Sequence, residues 1–186
     1  MSDKIRCSWC EKDDLYRNYH DNEWGKPVYD DATIFEFLIL ETFQAGLSWY
    51  TVLAKRENFR KAFDHFDLQK IANYSDEKLN QLEQDSGIIR NKLKIKATVT
   101  NAQAFIKVQE EFGSFSKYIW GFVGGKPIDN QPNTLSEVPA TTAISDRLSK
   151  DLKKRGFKFV GSTVVYAHMQ ATGMVNDHVA NCWIKK

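Results

Sequence analysis

Apolar residues recur every three to four positions along most of this chain, the spacing of helices that bury one face. The run Thr33-Ile34-Phe35-Glu36 reads as a capping box, in which hydroxyl and carboxylate satisfy opposite orphan amides, and the helix it opens is closed by Gly46. Ser48 caps a following helix that carries Trp49, Val52, Leu53, Phe59 and Phe63. Short helices are predicted after Asp67 and Ser75. A longer one runs from Asn91 to Phe112, with Ile95, Val99, Ala102, Ile106 and Gln109 at helical spacing. Ser145 caps another that reaches Lys154. Between Phe157 and Tyr166 the β-branched content suits a strand, while the length and flanks suit a buried helix. The pattern as a whole predicts an all-α fold. The Gly/Pro/Asn-rich stretch from Gly124 to Pro139 reads as a surface loop within one domain spanning 1–186, because the C-terminal remainder is too short to form its own core.

Composition narrows the class. A chain of 186 residues can bury a sizeable core, and 42% hydrophobic with 27% charged residues excludes disordered, collagen-like and membrane classes. The first residues lack an apolar signal core and no apolar run is long enough to span a bilayer, so a reduced, cytoplasmic setting is expected. Three cysteines there read as metal ligands, catalysts or core residues rather than as a disulfide framework. A net charge of only +2 means that any binding of nucleic acid must use a local basic face.

Cys7, Cys10 and His20 stand near one end of the chain, and His178 and Cys182 near the other. The last two are four apart, which on a helical turn places both side chains on one face. Thiolates with imidazoles suit tetrahedral zinc, here as a clasp pinning both termini to the domain. Spacing alone selects Cys7 and Cys10 as the N-terminal knuckle and leaves His20 out. His65 and His168 read as surface and core residues respectively.

Glu41 falls on the apolar stripe Ile34, Leu38, Glu41, Ala45, with Phe37 and Leu40 alongside. A buried, unpaired carboxylate costs several kcal/mol, so it needs donors, a cation or a raised pKa. One reading is a structural glutamate bonded to backbone amides or a tyrosine. The other is a pocket carboxylate awaiting a polar or cationic ligand. Trp49, Tyr16, Tyr19, Trp9 and Trp24 are close enough in sequence to supply aromatic faces, and aromatics with one carboxylate make a receptor for a flat cationic ring.

Gly87-Ile88-Ile89-Arg90-Asn91 lies between two predicted helices, followed by Lys92, Lys94 and Lys96. Glycine allows the positive φ of a tight turn, and free amides at the next helix can grip a phosphate. A plain helix–helix turn is the competing explanation. Lys150, Lys153, Lys154, Arg155 and Lys158 form a second basic run, either part of a binding face or merely solvated.

Five segments occur together in order: Tyr19-His20-Asp21-Asn22-Glu23-Trp24-Gly25, Gln44-Ala45-Gly46-Leu47-Ser48-Trp49, Gly87-Ile88-Ile89-Arg90, Arg155-Gly156-Phe157-Lys158-Phe159-Val160-Gly161 and Val175-Asn176-Asp177-His178. In this combination the chain resembles the 3-methyladenine DNA glycosylase I family of bacterial alkylation repair, from Cys7 to Cys182. The resemblance implies a helix-hairpin-helix glycosylase fold with a zinc clasp. It also implies one structural Zn2+ held by Cys7, His20, His178 and Cys182, with Cys10 an extra. By the same resemblance Glu41 and Tyr19 hydrogen-bond the excised base, Trp49 stacks on it, and Tyr16, Trp9 and Trp24 line its pocket. Leu47 matches a residue beside the gap left in the DNA, where an apolar side chain suits insertion into a base stack.

The implied activity is hydrolysis of the glycosidic bond of 3-methyladenine, flipped out of double-stranded alkylated DNA by a monomeric enzyme. Strand cleavage is not expected. The activating Asp of related hairpin glycosylases is missing, since no Asp occurs from Ser86 to Ile128, and no nucleophilic Lys is evident, though Lys92 and Lys94 stand nearby. Two other readings compete: a non-catalytic, zinc-stabilised DNA-binding module, and a small-molecule metalloenzyme whose zinc keeps an open position.

Overall fold

The computed structural model describes residues 4–185. These residues form ten α-helices: α1 (Asp14–Asn22), α2 (Asp31–Gln44), α3 (Trp49–Ala54), α4 (Arg56–Ala62), α5 (Leu68–Ala72), α6 (Asp76–Gln84), α7 (Lys92–Phe112), α8 (Phe115–Gly121), α9 (Ala143–Lys154) and α10 (Ser162–Ala171). The strand content among the described residues is one two-residue parallel pairing, β1 (Ile128–Asp129) with β2 (Val175–Asn176), in the register Ile128 to Val175. The helical expectation therefore holds. Among the described residues, no helix is long and apolar enough to cross a membrane.

Helix α2 is the centre of the molecule. Every residue from Phe37 to Phe43 is buried, which suits a helix enclosed by others on all sides. It packs against α10, α7 and α3. Glu41 is the one ionisable side chain in that buried run, so its position is fixed by the apolar residues on either side of it.

The Ser48 cap and the helix starts expected at Asp67, Ser75 and Asn91 stand where predicted, and each of these residues accepts a backbone N–H at the start of α3, α5, α6 and α7. Two other expected caps are displaced. Helix α2 is capped by Asp30, whose carboxylate accepts from the Thr33 N–H at 2.8 Å and from its hydroxyl at 2.7 Å. Thr33 is thus inside the helix, and Glu36, which the box required, is held instead by Arg56 and Arg60. Helix α9 starts from Thr142, with Ser145 as its reciprocal partner in a capping box.

The helix after Ser48 is broken at Lys55 into α3 and α4. The stretch from Phe157 to Tyr166 is neither one strand nor one helix. Phe157 and Val160 are buried from a loop, and α10 begins at Ser162. Asn101 holds that loop by bonding both the N–H and the carbonyl of Lys158, at 2.7 and 3.1 Å.

Candidate active site and metal centre

A cavity of about 290 Å³ lies between the N-terminal segment, α2, α3 and α10. Trp9, Tyr16, Tyr19, Trp24 and Trp49 line it with Glu41, so the structure brings together all six residues expected of a base pocket. Tyr16 and Tyr19 project from α1, and Trp49 is the first residue of α3, oriented by the Ser48 cap. Trp9 meets Tyr16 and Trp24 edge-on, with ring centroids 4.9 and 5.0 Å apart, and Tyr19 lies 5.5 Å from Trp49. Phe37 stacks behind Trp49 at 6.5 Å, backing one wall.

Glu41 is only 3% exposed, and its Oε2 has no hydrogen-bond partner among the described residues. Burial without compensation holds its carboxyl well above the ordinary range, and nothing opposes that push. The Tyr19 hydroxyl is likewise raised, by burial first and then by the neighbouring Glu41 charge. Trp49 Nε1 is also buried without a partner. An unmet acceptor and an unmet donor thus lie at one aromatic cavity. A planar guest carrying polar edges completes both, which an internal hydrogen bond to either would have prevented.

The pocket also contains Gln44, Leu135, Val138, Ala167 and Gln170, which sequence reasoning missed. Gln44 was findable, since it follows Glu41 by three positions on the same helix. Gln170 was not: its place depends on Asp177, which receives its amide at 2.8 Å and also accepts from Tyr166 and Asn130. An adjoining hollow of about 240 Å³ shares Glu41 and Gln44 with the pocket and is lined by Gly46, Leu47, Thr163 and Val164. Leu47 is 44% exposed there, at the turn between α2 and α3.

The second constellation is buried beside the first. Cys7, His20 and Cys182 bring their ligand atoms within 4.8 Å of one another. His178 stands next to them, its ring 4.8 Å from that of His20. Its Nδ1 lies 3.0 Å from Asn176 Oδ1, while its Nε2 is buried with no partner among the described residues. Gly25, with φ of +74°, makes room for this ring, because a Cβ there would come within 2.8 Å of it. His20 is oriented in the same way, its Nδ1 2.8 Å from Asp21, which in turn receives Arg6 and Trp183. Burial pushes the Cys7 thiol up to about 12 and the His178 imidazole down to about 4. Two thiols and two imidazoles whose other nitrogens are already engaged fit a tetrahedral soft cation.

Two details of the sequence reading change here. His178 and Cys182 do not share a helical turn; residues 177–179 have no regular secondary structure and a turn follows, so the fold and not the four-residue spacing brings Cys182 back to His20, at 3.6 Å. Cys10 stays outside the cluster and donates its thiol to the Cys7 carbonyl, which removes the Cys7–Cys10 knuckle suggested by spacing. His65 is exposed and His168 is a core residue bonded to the Ile34 carbonyl, as expected.

Residues 85–91 link α6 to α7. Ile88 is buried in the core, Ile89 is half-buried and Arg90 is exposed. Gly87 does not adopt a positive φ; a Cβ there would press at 2.9 Å on the Asp85 carboxylate oxygen that accepts the Gly87 N–H. Lys92 and Lys96 are exposed, whereas Lys94 is turned inward. In the second basic run Arg155 is engaged by Glu111 and Asp151, which takes that guanidinium out of the free positive charge of the face.

These features have counterparts in known proteins. Residues 9–186 match the methyladenine glycosylase family. DNA-3-methyladenine glycosylase 1 of Escherichia coli K12 is 51% identical over 177 residues, 95% of each chain. A crystal structure of 3-methyladenine DNA glycosylase I superposes with a TM-score of 0.95 at 48% identity, covering 98% of this chain and 100% of that one. A tyrosine-to-phenylalanine variant of 3-methyladenine DNA glycosylase I in complex with 3-methyladenine gives 0.94 at 38% identity, over 97% of each chain. With nearly its whole length matched in sequence and in fold, the chain belongs to the methyladenine glycosylase family.

Proposed function

We propose that this protein is a DNA glycosylase that flips 3-methyladenine out of alkylated duplex DNA and hydrolyses its glycosidic bond. The observation that carries this reading is the bare, buried carboxylate of Glu41 on a cavity walled by five aromatic rings. Methylation at N3 places a positive charge on adenine, which undamaged adenine lacks. Entering the pocket, the cationic ring stacks on Trp49, lies beside Tyr19, Tyr16, Trp9 and Trp24, and draws Glu41 into its carboxylate form. A neutral base has no such effect, and desolvating it beside an unmet carboxylate is unfavourable.

The chemistry asks little of the protein. The bond from C1′ to the base breaks with its electron pair going to the ring, so the cation leaves as a neutral base without needing an acid. Water oxygen bonds to C1′ and its proton passes to solvent. Positive charge moves from base to sugar on the way, within reach of the Glu41 field. No lysine nucleophile is required, and the products are free base and an intact strand.

Outside the pocket, Leu47 enters the base stack as the damaged nucleotide leaves it. Gly87, Ile88, Ile89 and Arg90 form the hairpin of a helix-hairpin-helix element that grips the backbone. Cys7, His20, His178 and Cys182 hold one zinc ion. Zinc there supplies a structural cross-link, since none of the four ligands lines the cavity, and it pins the segment bearing Trp9 to the rest of the pocket.

The test is release of free 3-methyladenine from alkylated duplex DNA at catalytic protein levels. The expected result is turnover by the wild type and its loss in Glu41→Gln with fold and zinc content retained. No release by folded, zinc-loaded protein would leave only a DNA-binding module.

A further inference from the structure

Two lysines join the hairpin to the turn that carries Leu47, each gripping the other's segment. Lys94, in the first turn of α7 just after the hairpin, is 6% exposed. Its ammonium donates to the carbonyls of Phe43 at 3.1 Å and Ala45 at 2.8 Å. These belong to the end of α2, where carbonyls have no partner within the helix, so Lys94 supplies a C-cap from about fifty residues away. The next residues are Gly46, with φ of +83°, and the exposed Leu47. In the opposite direction Lys55, at the junction of α3 and α4, donates to the carbonyls of Ser86 at 3.4 Å and Gly87 at 3.2 Å. Asn58 adds a bond to Gly87 at 3.2 Å.

Resting on the glycosylase reading above, the geometry points to Lys94 as a positioning residue for base flipping, with Lys55 as its counterpart: together they fix the Leu47 turn against the hairpin. A hairpin holding the DNA backbone then sets where Leu47 meets the stack, and the two act as one rigid body rather than as two independent contacts. An ammonium beside carbonyls is the group for this work, because it satisfies several acceptors at once without adding a proton acceptor of its own. Burial lowers the Lys94 pKa, but its two donated bonds go to main-chain carbonyls and Lys94 does not line the cavity. Lys94 is therefore occupied, and a nucleophilic role does not fit its placement.

The experiment compares Lys94→Met and Lys55→Met with the wild type in three measurements: excision of 3-methyladenine from duplex DNA, affinity for free 3-methyladenine by quenching of tryptophan fluorescence, and thermal unfolding. Misplacing a reacting partner by an ångström from a distance lowers rate about 100-fold, which sets the expected loss of duplex excision in Lys94→Met. Free-base affinity is expected to stay at the wild-type value, since the guest needs the pocket and not the turn. Lys55→Met is expected to lose duplex excision in the same direction with a smaller effect, and the double variant to lose less than the product of the two single losses. Duplex excision at the wild-type rate overturns the proposal, and so does a parallel fall in free-base affinity, which would make Lys94 a general prop. Should Lys94→Met fail to fold, Lys55→Met, on a partly exposed residue, decides by the same readouts. A wild type that excises nothing defeats the glycosylase reading instead, so the two failures are distinguishable.

Discussion

Helix α2 carries two glutamates five residues apart that the fold treats in opposite ways. Glu36 is gripped by Arg56 at 2.6 Å and Arg60 at 2.8 Å, and Arg56 also meets Glu23 at 2.6 Å. Glu41, deeper in the same helix, receives nothing at Oε2 among the described residues. The arginines that satisfy Glu36 sit on α4, while the face of α2 at Glu41 looks onto rings and empty space. A buried carboxyl is paired where it ties α2 to α4 and left bare where α2 faces the cavity. Two of the three buried histidines repeat the contrast. His168 bonds the Ile34 carbonyl, whereas the Nε2 of His178 is left open beside two thiols and a second imidazole.

Breaking the satisfied side should have the largest effect on stability. Arg56→Met leaves Glu23 without its partner and Glu36 held by Arg60 alone, and is expected to destabilise the protein by about 3 kcal/mol in denaturant unfolding. Activity per folded molecule should survive, and a variant as stable as the wild type would show that the pairing is idle.

Glu41→Gln should act the other way on the two properties. Excision is expected to fall roughly 100-fold or more, as for loss of a preorganised electrostatic group. Stability without ligand should rise at neutral pH by about 1–3 kcal/mol, because folding no longer has to protonate a buried carboxylate. An unfolded glutamate has a pKa of 4.5 and the folded one lies well above it, so the native state keeps a proton that the unfolded chain has released. Stability of the wild type therefore falls as pH rises from 4.5 toward the folded value, and the advantage of the variant should vanish at and below the unfolded value. A difference in Tm that is independent of pH would contradict this account of Glu41.

At the proposed zinc site, His20→Ala should release the metal and lower Tm by roughly 5–10 °C, a loss of a few kcal/mol for a chain of this size. A chelator should do the same to the wild type. Cys10→Ser is the smallest expected effect, with zinc content and Tm near wild type, since its thiol only donates to the Cys7 carbonyl. Zinc loss in Cys10→Ser with retention in His20→Ala would restore the ligand choice that spacing suggested.

The features legible along the chain were local. Ser48, Asp67, Ser75 and Asn91 begin helices because a short polar side chain satisfies amides two or three residues on, whatever the rest of the chain does. Glu41 was detectable as a charge on an apolar stripe, and its aromatic neighbours by proximity or resemblance. At Thr33 and Ser145 the reading was displaced by three residues, since a hydroxyl inside the first turn looks the same in sequence as a cap.

Tertiary structure decided the questions that depend on distant partners. Whether Glu41 was paired or bare turned on the absence, among the described residues, of a donor to its Oε2, and local periodicity carries no information about that. Cys182 joins His20 across 162 positions, and Lys94 caps a helix some fifty residues earlier, through a chain path that no spacing rule encodes. The residue types and their periodicity determined which helices form and which groups are available for chemistry. Only the packed arrangement determined which of those groups meet a partner and which remain open, because desolvation and pairing are properties of three-dimensional neighbours.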